Sequence, residues 1–178
     1  YRAITLKILN CEIDIQDEKA IEKILSETKI DIEGTHIFLD DRQVTDEIRK
    51  PEVDQFVSHV AKIPIIRKRL AEIQRKIAEN KNVVMDGRDI ATAVLPNATY
   101  KFFLTASIEE RAERRYLELK KKGFEVTLEK IQEEIKNRDK IDMEREIAPL
   151  RKAEDAILID TTGKTIEEVV DKIQSYLD

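Results

Sequence analysis

Several residue types are scarce in this 178-residue chain, and each scarcity excludes a class of protein. A single cysteine, Cys11, cannot form an internal disulfide, which excludes a secreted domain held together by disulfides. The longest apolar runs, residues 63–66 and 156–159, are far shorter than the ~20 residues of a membrane-spanning helix. Lys and Arg number 32 against 37 Asp and Glu, so the net charge of −5 argues against a surface that binds polyanions throughout. We therefore expect one or two folded domains in a reducing cytoplasm, with any phosphate chemistry confined to a local site.

The first half of the chain predicts helices and a small sheet. Apolar residues recur at helical spacing in three segments: residues 1–6, 17–27 and 51–80. Asp17 is a candidate N-cap, and a break at Pro64 divides the third segment into two helices. Short extended runs separated by turn-forming residues predict an antiparallel meander: residues 29–33, 36–39 and 42–45.

The second half predicts a parallel sheet, because candidate strands alternate with helical sequence. The candidate strands are residues 82–85, 100–104 and 156–160. Ser107 and Glu110 form a candidate capping box at the start of a helix that ends at Gly123. Two further helices are predicted, one at residues 127–144 and one from Thr165 onward.

The loop Asp86-Gly87-Arg88-Asp89 follows the first of these candidate strands. Ligands of open parallel sheets bind beyond the carboxyl ends of the strands, so this loop is a candidate site. Glycine allows a sharp turn, Arg88 can bind a phosphate with two N–H groups, and the aspartates can accept from amino groups or orient the arginine. From these four residues alone, a polar turn with a local ion pair is an equally good interpretation.

A second candidate site is formed by Arg138, Asp142 and Arg145. Spacings of four and three residues place them on one face of a helix, where two arginines flank a carboxylate. A phosphate or a ribose fits such a group. Without further context, an exposed salt-bridge ladder is the favoured interpretation, because such pairs are common and weak.

Other reactive or charged residues favour structural roles. The basic residues Arg111, Arg114 and Arg115, with lysines 120–122, are typical of a solvated helix face. The two histidines lie in dissimilar segments and the cysteine has no partner, so neither a metal site nor a catalytic thiol is predicted.

Taken together, several segments resemble the bacterial cytidylate kinase family, in order and at similar spacing over nearly the whole chain. They are residues 86–90, 103–115, 134–139 and 148–150, the last leading to 160–163. The meander resembles the insert that separates this family from adenylate kinases. The resemblance implies an α/β fold of the P-loop nucleoside monophosphate kinase type, with a five-stranded parallel sheet flanked by helices. It implies a core at residues 1–28 and 80–178, a lid at about 115–145, and a nucleoside-monophosphate-binding region at 29–79.

The resemblance also implies an activity, the transfer of a phosphoryl group from ATP with Mg²⁺ to CMP or dCMP. The implied partners are these nucleotides, without nucleic acid or membrane, and the implied state is a monomer. Ser58 and Arg67 match positions that recognise cytosine, and Asp89 matches the carboxylate that binds its amino group. The residues matched to the acceptor phosphate are Arg2, Arg88 and Arg145, and those near the ribose and the transferring group are Arg138 and Asp142. Catalytic roles are implied for Arg88, Arg138, Asp142 and Arg145.

Two departures from the family pattern change the expectation. Ala91 stands where the family usually has glycine, which should remove no contact. The family also carries a strand and a glycine-rich phosphate-binding loop ahead of the position of Tyr1, and the four glycines here form no such loop. We therefore expect either that further residues complete the molecule or that the strands pair differently, and that these 178 residues alone do not transfer phosphate.

Other functions remain open from the sequence. The main alternative is a non-catalytic CMP-binding fragment. A structural scaffold with charge ladders, and a kinase directed to uridylate or adenylate, are further alternatives.

Overall fold

Helices and an antiparallel sheet make up the first of two units into which the chain divides, residues 1–82 and 83–178. The computed structural model describes residues 1–177, and the final aspartate lies outside the described residues. Within residues 1–177, no helix is both long and apolar enough to cross a lipid bilayer.

Helices of the first unit form where apolar residues recur at helical spacing. They are α1 (Arg2–Asn10), α2 (Glu18–Ser26), α3 (Pro51–Val60) and α4 (Pro64–Ala78). Asp17 caps α2 as predicted, because its Oδ1 accepts from the backbone N–H of Ala20 at 3.0 Å. Pro64 occupies the first turn of α4, where its missing N–H removes no helical hydrogen bond, so the predicted break is confirmed. Ile4 and Ile8 of α1 pack with Ile21 of α2 in a buried apolar cluster.

The predicted meander forms an antiparallel sheet. Its strands, in the order β1-β2-β3, are β1 (Ile30–Glu33), β2 (His36–Leu39) and β3 (Arg42–Gln43). Asp40 and Asp41 join β2 to β3 with φ of 50° and 63°, as a two-residue hairpin turn of the primed type requires. Ile30 pairs with Leu39, and Leu39 is buried in an apolar cluster that includes Leu6 of α1.

The second unit is of α/β type and contains a parallel sheet, as the alternation of strands and helices predicts. Its strands are β4 (Phe102–Thr105) and β5 (Ile157–Asp160), and its helices are α5 (Ile108–Lys121), α6 (Leu128–Glu144) and α7 (Ile166–Gln174). Helices α5 and α6 pack against each other through Ala112, Leu119 and Ile131. Gly123 follows α5 with φ of 81°, which confirms it as the residue that stops this helix.

The predicted strand at residues 82–85 does not form. Val84 is fully exposed and Val83 is 40% exposed. A strand exists only when its backbone groups pair with a neighbour, and within residues 1–177 strands β4 and β5 pair only with each other. The parallel sheet of the described chain is therefore smaller than the five-stranded sheet that the resemblance implies.

The predicted capping box at Ser107 forms only in part. Its Oγ accepts from the backbone N–H of Glu110 at 3.1 Å, as expected. The reciprocal bond is absent from the described structure, because the backbone N–H of Ser107 donates to Oγ1 of Thr162 at 3.1 Å and the Glu110 carboxylate binds Arg114. A complete capping box lies instead at Thr165, at the start of α7.

Candidate functional site

The loop at residues 86–89 leads into a short π-helical turn at Ile90–Val94. The backbone N–H groups of Ala93 and Val94 both donate to the carbonyl of Asp89, at 2.9 and 3.2 Å. Gly87 has an ordinary backbone, and its lack of a side chain serves packing, because a Cβ there would lie 2.9 Å from Cγ1 of Ile90. The loop therefore holds Arg88 and Asp89 directly before the turn.

The carboxylate of Asp142 lies among arginines from this loop, from α6 and from the residue that follows α6. Arg145 has an extended backbone directly after the helix, so the predicted helix face includes Arg138 and Asp142 but not Arg145. Its Oδ2 is 3.2 Å from Nε of Arg88 and 3.9 Å from Nε of Arg138, and its Oδ1 is 3.3 Å from Nη1 of Arg145. Oδ1 of Asp89 is 3.8 Å from Nη2 of Arg145. Loop and helix thus meet in one group of five residues, the Asp142 cluster: Arg88, Asp89, Arg138, Asp142 and Arg145.

Burial distinguishes the Asp142 cluster from an exposed ladder. The side chains of Asp142 and Arg145 are each 3% exposed, whereas those of Arg88 and Arg138 are 40% and 31% exposed. Buried charges persist where they are paired and hydrogen-bonded, so the carboxylates fix the arginines in place. The guanidinium groups of Arg88 and Arg138 reach the surface. The ladder favoured from the sequence of α6 is therefore wrong, and the arrangement suits an anion such as a phosphate.

In the first unit, Arg2 is oriented by groups from outside α1. Its Nη2 pairs with the carboxylate of Asp54 on α3, and its Nη1 donates to the carbonyl of Ile48 at 3.0 Å. The Arg2 side chain is 34% exposed. A guanidinium held in one orientation at the surface loses little further entropy when it meets a ligand.

Ser58 and Arg67 are buried, at 4% and 3% exposure. Nη1 of Arg67 donates to the carbonyl of Ala61 at 3.0 Å, and its guanidinium lies 5.4 Å from the ring centroid of Tyr1, within cation–π range. The predicted residues of the first unit are thus grouped along α3: Ser58 lies on it, Arg2 pairs with it, and Arg67 bonds to the residue that ends it.

Polar groups also gather at the carboxyl ends of β4 and β5. Thr161 Oγ1 donates to the carbonyl of Thr105 at 3.0 Å, and Nη2 of Arg114 donates to the carbonyl of Thr161 at 2.7 Å. The backbone N–H of Thr162, and then its hydroxyl, lower the pKa of the exposed Asp160 carboxyl by hydrogen bonding to it. The bond from Arg114 ties the loop after β5 to α5.

The basic residues of α5 are paired, which goes beyond the solvated face predicted for them. Arg111 binds Asp139 of α6 with two N–H groups, at 3.1 and 2.7 Å. Glu118 accepts hydrogen bonds from Lys122 and Arg115. These two cations lower the pKa of Glu118 to about 2, and Lys122 makes the larger contribution. The Arg111 pair joins α5 to the helix that carries the Asp142 cluster.

Sequence reasoning missed the groups that orient the predicted residues. Asp54 lies one helical turn before Ser58, so helical spacing alone could have placed it on the same face of α3. No local signal marks Tyr1 as a partner of Arg67, or the carbonyl of Ile48 as a partner of Arg2, because both contacts depend on tertiary packing.

The residues of the described chain do not form a protein cage for a metal ion. Within residues 1–177, no group of three or more His, Cys, Asp or Glu side chains has the geometry to hold one. The carboxylates of the Asp142 cluster already bind arginines.

Comparison with known proteins places these residues in a family context. The family model described as cytidylate kinase matches residues 1–178. A protein of Alkaliphilus oremlandii named "Cytidylate kinase" is 54% identical over 177 residues, covering 99% of this chain and 82% of the relative. A protein of the same name from Caldanaerobacter subterraneus is 56% identical over 173 residues, covering 97% of this chain and 77% of the relative. Another, from Clostridioides difficile, is 50% identical over 178 residues, covering 100% of this chain and 82% of the relative.

Proposed function

The chain belongs to the cytidylate kinase family, and from that premise we propose that the Asp142 cluster and the residues along α3 bind the CMP or dCMP that accepts a phosphoryl group from ATP. Membership of this family makes the chain a nucleotide-directed phosphotransferase. Matches over 97% to 100% of the chain give no support to the expectation that it is an inactive fragment.

The observation that carries the proposal is the Asp142 cluster itself. Buried carboxylates hold three arginines in one group, and two of these arginines reach the surface. Arg88 and Arg145 bind the phosphate of the acceptor nucleotide. Arg138 and Asp142 lie near the ribose and the group in transfer. Arg2, held by Asp54, is the further ligand of the acceptor phosphate.

These residues suit phosphoryl transfer because that reaction needs little covalent help from a protein. The main requirements are that donor and acceptor are held in line and that positive groups offset charge on the transferring phosphoryl group. Arginines fixed by buried carboxylates meet the second requirement without reorganisation during the reaction. The catalytic residues of the proposal are these arginines and the carboxylate that they share: Arg88, Arg138, Asp142 and Arg145.

Selection of cytosine is proposed for Asp89, Ser58 and Arg67. A carboxylate accepts from the exocyclic amino group of cytosine but faces the corresponding carbonyl of uracil with like polarity. All three side chains are buried, so water cannot readily replace a hydrogen bond that an unmatched base fails to make.

The wider architecture is proposed from the family. It is a P-loop nucleoside monophosphate kinase fold, with residues 29–79 as the acceptor region, residues 1–28 and 80–178 as the core, and a lid at about 115–145 that excludes water from ATP. Mg²⁺ enters with the nucleotide, and we assign neither a metal ligand nor an ATP-binding residue. A monomer in the cytoplasm completes the proposal.

A coupled ADP-release assay tests the activity. Purified protein receives ATP and Mg²⁺ with CMP, dCMP, UMP, AMP or no acceptor, and its intact mass is measured in parallel. ADP release that depends on CMP or dCMP is expected. Faster release with UMP or AMP than with either cytidine nucleotide would overturn the proposed base selection.

A pair of variants tests the phosphate site separately from the base site. Arg88→Ala removes a 40%-exposed arginine of the Asp142 cluster, and Arg69→Ala removes a 45%-exposed arginine that pairs only loosely with Glu72, at 3.7 Å. Loss of a charged hydrogen bond predicts CMP affinity about 10- to 100-fold weaker for Arg88→Ala and unchanged for Arg69→Ala. Cytidine, which lacks the phosphate, should bind equally to all three proteins, and an equal loss of cytidine and CMP binding would contradict the assignment.

A further inference from the structure

The chain leaves α6 through residues 145–150, and the Ala148-Pro149-Leu150 motif of this segment has no role in the steps proposed above. Ala148 has a φ of 47°, in the left-handed region that a residue with a side chain enters only at a cost in energy. Such a conformation persists where surrounding contacts fix it.

Two hydrogen bonds depend on this conformation. The carbonyl of Ala148 accepts from Nε of Arg145 at 2.8 Å, and the backbone N–H of Leu150 donates to the carbonyl of Asp142 at 2.8 Å. The second bond gives a partner to a carbonyl at the end of α6, where helical partners run out. Pro149 has no N–H to offer, so the donor to Asp142 comes from the residue after it.

The bond at Nε fixes the orientation of the Arg145 guanidinium. This side chain is 3% exposed, with Nη1 at 3.3 Å from Asp142 and Nη2 at 3.8 Å from Asp89. A guanidinium is planar, so holding Nε determines the direction in which Nη1 and Nη2 point. The carbonyl of Ala148 therefore determines which edge of Arg145 faces the Asp142 cluster.

We propose that the turn at Ala148 is a positioning device for the phosphate-binding site, in which a left-handed backbone directs a carbonyl to Nε of Arg145 and so orients its guanidinium. The effect on phosphate binding rests on the function proposed above, whereas the effect on Arg145 does not. A helix that only had to stop would be served by glycine, as α5 is by Gly123. Alanine in the same conformation has less backbone freedom than glycine. This suits a residue whose carbonyl holds Arg145 in one orientation.

Substitutions at residue 148 separate backbone conformation from side-chain size. Asparagine tolerates the left-handed region, whereas valine, which is of comparable bulk but β-branched, does not. Ala148→Gly and Ala148→Asn should keep the turn, and Ala148→Val should open it and withdraw the carbonyl from Arg145. A purely steric role would instead make the asparagine and valine variants behave alike.

Nuclear magnetic resonance of arginine Nε–H groups reads the orientation directly. The Arg145 signal is identified by its loss in Arg145→Lys, which has no Nε. It should exchange slowly with solvent in the parent, in Ala148→Gly and in Ala148→Asn, and rapidly in Ala148→Val. An unchanged signal in Ala148→Val, or equal loss in the valine and asparagine variants, would overturn the proposal.

Kinetics then test the consequence for the phosphate. Misplacement of a ligand-binding group predicts a KM for CMP raised about tenfold or more in Ala148→Val, with the KM for ATP and the affinity for cytidine changed by less than about twofold. If the parent binds no CMP, the proposed function fails. If the parent binds CMP and the valine and asparagine variants bind it equally well, the positioning role fails.

A milder pair covers the case in which Ala148→Val does not fold. Ala148→Ser and Ala148→Thr differ by the one methyl group that makes threonine β-branched. The threonine variant should show the faster Arg145 exchange and the higher KM for CMP, and equal behaviour of the two would overturn the proposal.

Discussion

Replacing Asp142 by asparagine removes one negative charge from the Asp142 cluster while nearly keeping the volume of the side chain. The carboxylate lost lies 3.2 Å from Arg88 and 3.3 Å from Arg145, and Arg145 is 3% exposed. Removing one partner of a buried ion pair costs about 3 to 5 kcal/mol, because the other charge stays buried. Asp89, 3.8 Å from Arg145, offsets part of this, so we expect the free energy of unfolding to fall by about 3 kcal/mol.

Thermal unfolding measures this loss. A domain of this size loses about 2 to 4 °C of Tm per kcal/mol, which predicts a Tm lower by about 6 to 12 °C for Asp142→Asn. Glu133→Gln is the matched control, because it makes the same chemical change at an exposed position of the same helix. Inorganic phosphate should raise the Tm of Asp142→Asn more than that of the parent, since the variant cluster carries one more positive charge. A fall no larger than that of Glu133→Gln, with no difference in the response to phosphate, would refute the reasoning.

Three further predictions concern stability. Lys122 and then Arg115 lower the folded-state pKa of Glu118 from 4.5 to about 2, so this residue stabilises the fold above pH 4.5 and ceases to do so as the pH falls towards 2. Between pH 5 and pH 3, the free energy of unfolding in urea should therefore fall more for the parent than for Glu118→Gln. High salt should reduce this difference, because the Glu118–Lys122 pair is partly exposed. Equal falls in the two proteins would contradict the prediction. Asp41→Gly should raise the free energy of unfolding by about 0.5 kcal/mol, since glycine adopts the φ of 63° without strain and the ion pair with Lys29 that is lost is exposed and weak. A decrease in urea-unfolding stability would contradict it. Thr165→Ala should remove about 1 kcal/mol of helix capping and increase amide exchange in the first turn of α7, whereas Thr165→Ser should not, and equal exchange in both would contradict the role of the cap.

Local patterns were sufficient to predict most of the helices and the meander. Ile21 and Ile24 are buried on one face of α2 because helical spacing puts them there, and Asp17 caps that helix through a side chain three residues from its donor. The segment at residues 82–85 shows why the rest could not be predicted. Its apolar residues are typical of a buried strand, but a strand depends on a partner far away in the sequence, and local pattern carries no information about the partner.

Part of the candidate site could likewise be predicted from local pattern, and part could not. Helical spacing puts Arg138 and Asp142 on one face, and this much follows from the sequence. The approach of Arg88 to Asp142, 54 residues further along the chain, and the burial that makes their pairing significant, depend on tertiary packing. The left-handed backbone of Ala148 has no sequence signal at all, because alanine is a residue that ordinarily favours helices.

Cys11 has a practical consequence for measuring the behaviour of this protein in solution. It is the one cysteine of the chain, it is exposed, and it follows directly after the helix that begins with Arg2. A maleimide dye or a nitroxide therefore attaches at a single position without removal of other thiols. The chain also has no tryptophan, so its intrinsic fluorescence does not overlap the emission of most dyes. Fluorescence anisotropy of such a label, titrated with CMP and then with ATP, reports on α1 in the unmutated protein.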